Sequence, residues 1–172
     1  MKLTPEALTL EQRLRRLEDH LEIQQLIAAY GPAADSCNVD EILGAWHEDC
    51  VYDVGGIDRY EGHERMRQVY ETDFHRQLVR QGSAHAGTPA HVVIEGDRAT
   101  ATHYGTLYAR EDGRFVLVRL IASRWDLRRF EGEGWRVMKR TNRLLDGSEE
   151  ARQILREAQR PPSRVTVGRP SD

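Results

Sequence analysis

The stretch Tyr30-Gly31-Pro32-Ala33-Ala34-Asp35 decides how this chain folds. It closes a long helical pattern with a phenol, a Gly-Pro break and a lone carboxylate. Upstream, Leu10, Leu14, Leu17 and Leu21 form one narrow apolar stripe. At about 100° per residue, the next apolar group, Ile23, Leu26, Ile27, Tyr30 and Ala34, lies on nearly the opposite side. A helix with two opposed stripes touches two bodies. The second stripe reads as packing on the chain's own sheet, the first on another subunit or on the C-terminal helix. A break near Glu22, giving two short helices, is the alternative. Pro32 removes an amide donor and predicts a kinked or thinned last turn. An undistorted helix sets Tyr30 and Asp35 roughly 140° apart, so facing one cavity together calls for such a distortion.

Downstream, Asn38 is placed to cap a short helix over Val39–Trp46. Cys50–Val54 reads as a strand that ends at Gly55-Gly56, with a brief partner over Arg59–Glu61. A third helix is predicted from His63 to Gln81, with Met66, Val69, Tyr70, Phe74 and Leu78 on its apolar side. Four strand-like segments follow: Ala84–Glu95, Arg98–Arg110, Arg114–Arg129 and Trp135–Leu145. Asp112-Gly113 is a hairpin signal between the second and third. The third is apolar on both faces around Phe115–Val118, which predicts a central strand. A polar helix covers Ser148–Gln159, and 160–172 reads as a flexible tail or arm. Helices first and then a run of antiparallel strands in meander order give an α+β pattern. We expect one domain over 1–159, a cone-shaped α+β barrel whose curved antiparallel sheet wraps a long N-terminal helix. Such a cone leaves an apolar cavity with a few polar groups, the usual form of a small-molecule site.

Composition narrows the partners. The 172 residues carry 25 Lys and Arg against 28 Asp and Glu, a formal charge of −3. That balance points away from nucleic acid and from anionic membrane surfaces. There is no apolar run of membrane-spanning length and no signal-peptide core after Met1. Cys37 and Cys50 suggest neither a disulfide framework nor a zinc site, so reduced thiols in a cytoplasmic protein are the simplest reading. The 7 histidines fall in no metal-ligand spacing, and no metal is expected.

Several features recur together: the helix ending in Tyr30 and Asp35; Trp46-His-Glu-Asp-Cys-Val-Tyr52-Asp53; and Tyr60-Glu-Gly-His-Glu. Then come His85-Ala-Gly-Thr-Pro89 at the head of the long strands and Gly134-Trp135-Arg-Val before the last. In this order, from about Leu17 to Leu145, the chain resembles the SnoaL-like group of the nuclear transport factor 2-like superfamily. That group includes scytalone dehydratase, bile acid 7α-dehydratase and hexachlorocyclohexane dehydrochlorinase. They share an Asp at the end of the first helix and a His at the start of the third strand, which Asp35 and His85 match. Tyr30 is similar to the helix-one Tyr of bile acid 7α-dehydratase and of ketosteroid isomerase. Pro89, where relatives often carry Asn, and Pro32 depart from the pattern. The arginine that some relatives use matches Arg119, Arg140 or Arg143.

The resemblance implies roles. His85 takes a proton beside a carbonyl or opposite a leaving group. Asp35 fixes its tautomer and stabilises the imidazolium, or is a turn carboxylate before Ser36-Cys37-Asn38. Tyr30 donates to a substrate oxygen, or is a core residue on the apolar stripe. Asp53 lies near the place of the isomerase base, or is a surface carboxylate. Arg119, alone in an apolar strand, binds a substrate oxygen or pairs across a subunit interface. Tyr52 and Trp46 complete the candidate substrate-binding set. The expected activity is a cofactor-free lyase, a dehydratase, acting on a hydrophobic ring compound. An isomerase, a polyketide cyclase, and a binding or assembly module such as a ring-hydroxylating dioxygenase small subunit are the alternatives. The relatives also imply a homo-oligomer, trimer or dimer.

Overall fold

A computed structural model describes residues 8–157. The N-terminal lead, the last residues of the predicted C-terminal helix and the tail over 160–172 lie outside the described residues. Helix α1 spans Leu10–Asp35 without a break near Glu22. Thr9 caps it: the Thr9 hydroxyl accepts from the Gln12 amide, and the Gln12 side chain accepts from the Thr9 amide, a capping box. Pro32 sits inside the last turn. The helix then stops in a Schellman arrangement, with Asn38 N–H donating to the Ala33 carbonyl at 2.9 Å and Cys37 N–H to Ala34 at 3.2 Å. Cys37 holds the left-handed position at φ 55°, where glycine is usual. Asn38 at once caps α2, Val39–Gly44.

Strand β1 runs Trp46–Val54 and β2 Asp58–Glu61. Trp46 thus opens a strand and does not end α2. The predicted third helix is two, α3 Gly62–Glu71 and α4 Asp73–Gln81. Thr72, in extended conformation, divides them, and its hydroxyl caps α4 by accepting from the His75 amide. The predicted Ala84–Glu95 strand is also two, β3 Ser83–Gly87 and β4 His91–Glu95. Pro89 has no amide for a ladder, so the chain leaves the sheet there. The interruption is fastened to α1, where Gln24 Nε2 donates to the Ala90 carbonyl at 2.7 Å. Three long strands follow, β5 Arg98–Glu111, β6 Arg114–Phe130 and β7 Gly134–Leu144, then α5 Glu149–Glu157.

The sheet order is β2-β1-β7-β6-β5-β3, with β4 also on β5. It is therefore not a pure meander: β1 lies parallel to β7, and the other pairs are antiparallel. This is an α+β architecture in which an open, curved sheet folds over α1. The helix touches β3 and β4 at one end of the sheet and β7 toward the other. Ile23, Ile27 and Ala34 enter a core shared with Trp46, Met66, Trp125 and Val137. At the far end Asp19 accepts from Arg129 Nη2 at 2.7 Å and from the Trp135 indole at 3.1 Å. Glu22 accepts the Trp135 amide at 2.8 Å. These bonds fasten α1 to the β6–β7 hairpin. Helix α5 lies on β5, β6 and β7, so it does not cover the leucine stripe of α1. Strand β6 is central, yet its first half projects past the core, with Phe115 68 % exposed.

The contact that places α1 against β3 is made by Gly31. A side-chain carbon there would collide with the carbonyl oxygen of His85. Only glycine lets the helix axis come this near the strand backbone. Gly31→Ala is expected to lose about 1–3 kcal/mol by overpacking, read from the urea midpoint, and to displace His85. An alanine variant of unchanged stability would show that the helix does not need that approach.

Candidate active site

Between α1, α3, α4 and the concave sheet lies a cavity of about 930 Å³. Alternation along the strands decides who faces it. His103, Gly105 and Leu107 of β5 point in, as do Arg119, Ile121 and Trp125 of β6. Tyr30 enters from α1, Tyr70 from α3, His75 from α4 and His85 from β3.

Asp35 stands behind His85 and not in the cavity wall. This resolves the angular difficulty of the helix: Tyr30 reaches the cavity directly, and Asp35 reaches it through the imidazole. His85 Nδ1 donates to Asp35 Oδ1 at 2.8 Å, and the His85 amide donates to Oδ2 at 2.6 Å. The Ser83 hydroxyl donates to Oδ1 at 3.2 Å. One carboxylate thus clamps both the backbone and the ring of His85. Burial pushes the Asp35 pKa up, but the bonds from His85 and Ser83 outweigh it and leave it below the ordinary value. Asp35 therefore stays charged, and Nε2 of His85 has no bond from any described residue. His75 sits beside this pair, its ring 6.2 Å from that of His85. Its Nε2 donates to the Ala34 carbonyl at 3.0 Å, and burial holds its pKa down, so it brings no positive charge to the pair.

Across the cavity three phenols converge. Tyr70 donates to the Tyr30 oxygen at 3.3 Å, and the Tyr30 and Tyr52 oxygens are 3.3 Å apart. Asn142 Nδ2 already donates to the Tyr52 oxygen at 3.1 Å. With Tyr52 as the donor of the second contact, Tyr30 accepts twice and its own proton is left for a ligand. Burial raises the pKa values of Tyr52 and Tyr70, keeping both protonated as donors. Arg140 lies under this group, 4 % exposed. Its guanidinium carbon is 4.1 Å from the Tyr30 ring centre and 4.2 Å from that of Trp125. Its Nε donates to Ser123 Oγ at 3.1 Å, while Nη1 has no partner among the described residues. A buried cation held on aromatic faces with no carboxylate beside it favours negative charge on a ligand.

The remaining candidates separate. Tyr52 lines the cavity, as does Arg119, whose Nη2 donates to the Gly55 carbonyl at 3.1 Å. Asp53 does not: it points to the opposite face of β1 and pairs with Arg143 at 2.8 and 3.0 Å. The Arg143 bonds hold its pKa below the ordinary value. Trp46 is buried behind the wall, 5.7 Å from Tyr52 and 5.9 Å from Trp125. Tyr70 and Asn142 are site residues that sequence reasoning did not select. Tyr70 was legible on the inner face of its helix; Arg140 was one of three arginines with nothing to separate them. Half-buried His47 and exposed Glu48 and Asp49 bring ligand-type atoms within 4.8 Å of one another, but none of the three lines the cavity.

His103 holds Trp125 in place. Its Nε2 accepts from the Trp125 indole at 2.9 Å and its Nδ1 donates to the Tyr104 carbonyl at 3.0 Å. Burial, helped by the Arg140 charge, pushes its pKa down to about 4. The stability from neutral His103 is therefore complete above the unfolded value of 6.5 and is lost as pH falls through about 4. His103→Gln, which keeps an acceptor for the indole, is expected to flatten the fall in urea midpoint over this range. The difference is on the order of 3 kcal/mol. An identical pH profile in the variant would contradict the assignment.

Residues 15–141 match the SnoaL-like domain family. A crystal structure of a nuclear transport factor 2-like protein with a cystatin-like fold from Novosphingobium aromaticivorans is 41 % identical. It covers 88 % of this chain and 99 % of its own, with a TM-score of 0.83. A candidate aromatic ring hydroxylase from the same organism is 31 % identical over 75 % of this chain and 90 % of its own, TM-score 0.62. The hexachlorocyclohexane dehydrochlorinase LinA-type3 of Novosphingobium barchaimii shares the fold at 20 % identity, over 77 % of this chain and 90 % of its own, TM-score 0.64. No match is found among curated proteins. No described helix is long and apolar enough to cross a membrane. With residues 15–141, well over half of the chain, matched to the family, and relatives above 30 % identity on the same fold, the chain belongs to the SnoaL-like family of the nuclear transport factor 2-like superfamily.

Proposed function

We propose that this chain is a lyase, a dehydratase that works by general acid–base chemistry with its own side chains. The observation that carries the reading is the pair of hydrogen bonds that His85 donates to Asp35, one from its amide and one from Nδ1, in a residue that lines a cavity whose other wall is a phenol over a buried cation. The substrate is a hydrophobic ring compound with a carbonyl and, two carbons away, a hydroxyl. His85 Nε2 takes a proton from the carbon between them, and the C–H electron pair moves to make an enolate. The enolate oxygen accepts the Tyr30 proton as a hydrogen bond, with Arg140 supplying charge beneath it. Collapse of the enolate expels the hydroxyl, which takes the proton back from the imidazolium and leaves as water. Asp35 holds the Nδ1 proton throughout. Arg119 offers its remaining donors to a polar substituent of the ring compound.

Return of the proton to another carbon of the same enolate would make an isomerase. In an isomerase that relied on the strand-one carboxylate, Asp53 would be the base, and its pairing with Arg143 on the outer face argues against that role. The dehydrochlorinase among the structural neighbours also performs an elimination by name, in keeping with the lyase reading. The ring hydroxylase relative suggests an assembly module, but a scaffold has no use for a clamped imidazole facing a cavity.

The test is proton exchange from ring ketones and β-hydroxy ketones in heavy water, which detects the first step even without turnover. His85→Ala is expected to reduce exchange to background. Tyr30→Phe and Asp35→Asn are expected to slow it by about 10²–10³-fold, and Asp53→Asn to leave it unchanged. Exchange that survives in His85→Ala and disappears in Asp53→Asn would overturn the proposal.

A further inference from the structure

Among the described residues, nothing covers the leucine stripe of α1. Leu10, Leu14, Leu17 and Leu21 are 79, 54, 68 and 62 % exposed. Every residue from 8 to 18 is exposed, so the first turns of α1 stand clear of the barrel. The barrel hangs on the other side of the helix, through Asp19, Ile23 and Ile27. At about 100° per residue, that face lies roughly 160° from the centre of the leucine stripe.

The spacing of 4, 3 and 4 is that of a coiled-coil seam, with Leu10 and Leu17 at d positions and Leu14 and Leu21 at a. The flanking positions carry opposite charge. Glu11 and Glu18 fall at e, Arg13 and His20 at g. In a parallel pair, g faces e of the next heptad on the partner, which sets Arg13 against Glu18 of a second copy. In an antiparallel pair, e meets e, and Glu11 would oppose Glu18. The charge pattern therefore selects both the partner, an identical helix, and its direction. Two heptads make a short coil for a free peptide. Here the helix is already formed and anchored from Asp19 onward, so pairing carries no nucleation cost.

We infer that the N-terminal half of α1 is a self-association seam, in which a second copy of this chain docks its own Leu10–Leu21 stripe in parallel. The barrels then lie on the outside, and both cavities stay open.

Cysteine cross-linking tests direction as well as contact. In a Cys37→Ser background, which removes the exposed native thiol, Leu10→Cys places a thiol at one end of the seam. In the parallel arrangement the two copies of position 10 meet and a disulfide forms under mild oxidation. In an antiparallel one they stand about 16 Å apart and it does not. Arg16→Cys, off the seam, is the control. Sedimentation of Leu14→Asp with Leu17→Asp, both exposed positions, is expected to show at least a tenfold weaker association than the unaltered chain, with helical content retained. A chain that is monomeric at tens of micromolar, a Leu10→Cys protein that yields no more disulfide than the Arg16→Cys control, or association that the double Asp variant leaves intact would each overturn the inference.

Discussion

The approach of α1 to β3 at Gly31 is the constraint on which the site depends. The helix backbone meets the His85 carbonyl where any side chain would intrude. That contact brings the end of α1 down on the strand, so that Asp35, one turn later, reaches both the amide and the ring of His85. The Schellman stop follows at once, with Cys37 in the left-handed region. A helix that ran on would carry the chain away from β3. A helix held further off would leave the carboxylate short of the imidazole. Close packing, a strained stop and the carboxylate–imidazole hydrogen bond are one arrangement.

The opposite wall follows a different logic. A buried arginine without a carboxylate is costly unless something compensates it. Here the faces of Tyr30, Trp125 and Tyr52 surround the Arg140 guanidinium, and Ser123 accepts a hydrogen bond from its Nε. Tyr70 and Tyr52 direct their hydroxyls toward the Tyr30 oxygen. The wall is thus prepared for an oxygen that becomes negative, while the Asp35–His85 side is prepared to take a proton. His103 serves this wall indirectly, since its neutral ring fixes the Trp125 indole that covers Arg140.

Much of this could be read from residues. The long helix, the carboxylate at its end and the histidine at the head of a strand announced the dyad, and alternation along the strands announced the curved sheet. What could not be read depends on irregularities. Between Asp126 and Leu127 the β6–β7 register slips, leaving Met138 unpaired. Before the slip Trp135 and Val137 face the core, and after it Arg140 and Asn142 do, so the parity of the sequence misleads. A similar slip at Val118 turns Arg119 toward the cavity. Thr72 and Pro89 each divided an element whose apolar pattern ran through them. The parallel placement of β1 beside β7 joins segments far apart in the chain, and no local pattern records it. Asp53 looked suitable by position, but a strand neighbour of a cavity residue faces away from the cavity.

The central claim is that Asp35 holds the proton on Nδ1 of His85 and leaves Nε2 as the base. A long-range nitrogen–proton correlation spectrum of the imidazole, recorded near neutral pH without ligand, reads this directly. The account predicts a neutral ring protonated at Nδ1, with that preference lost in Asp35→Asn. A ring protonated at Nε2, or a tautomer indifferent to the loss of the Asp35 charge, would contradict it.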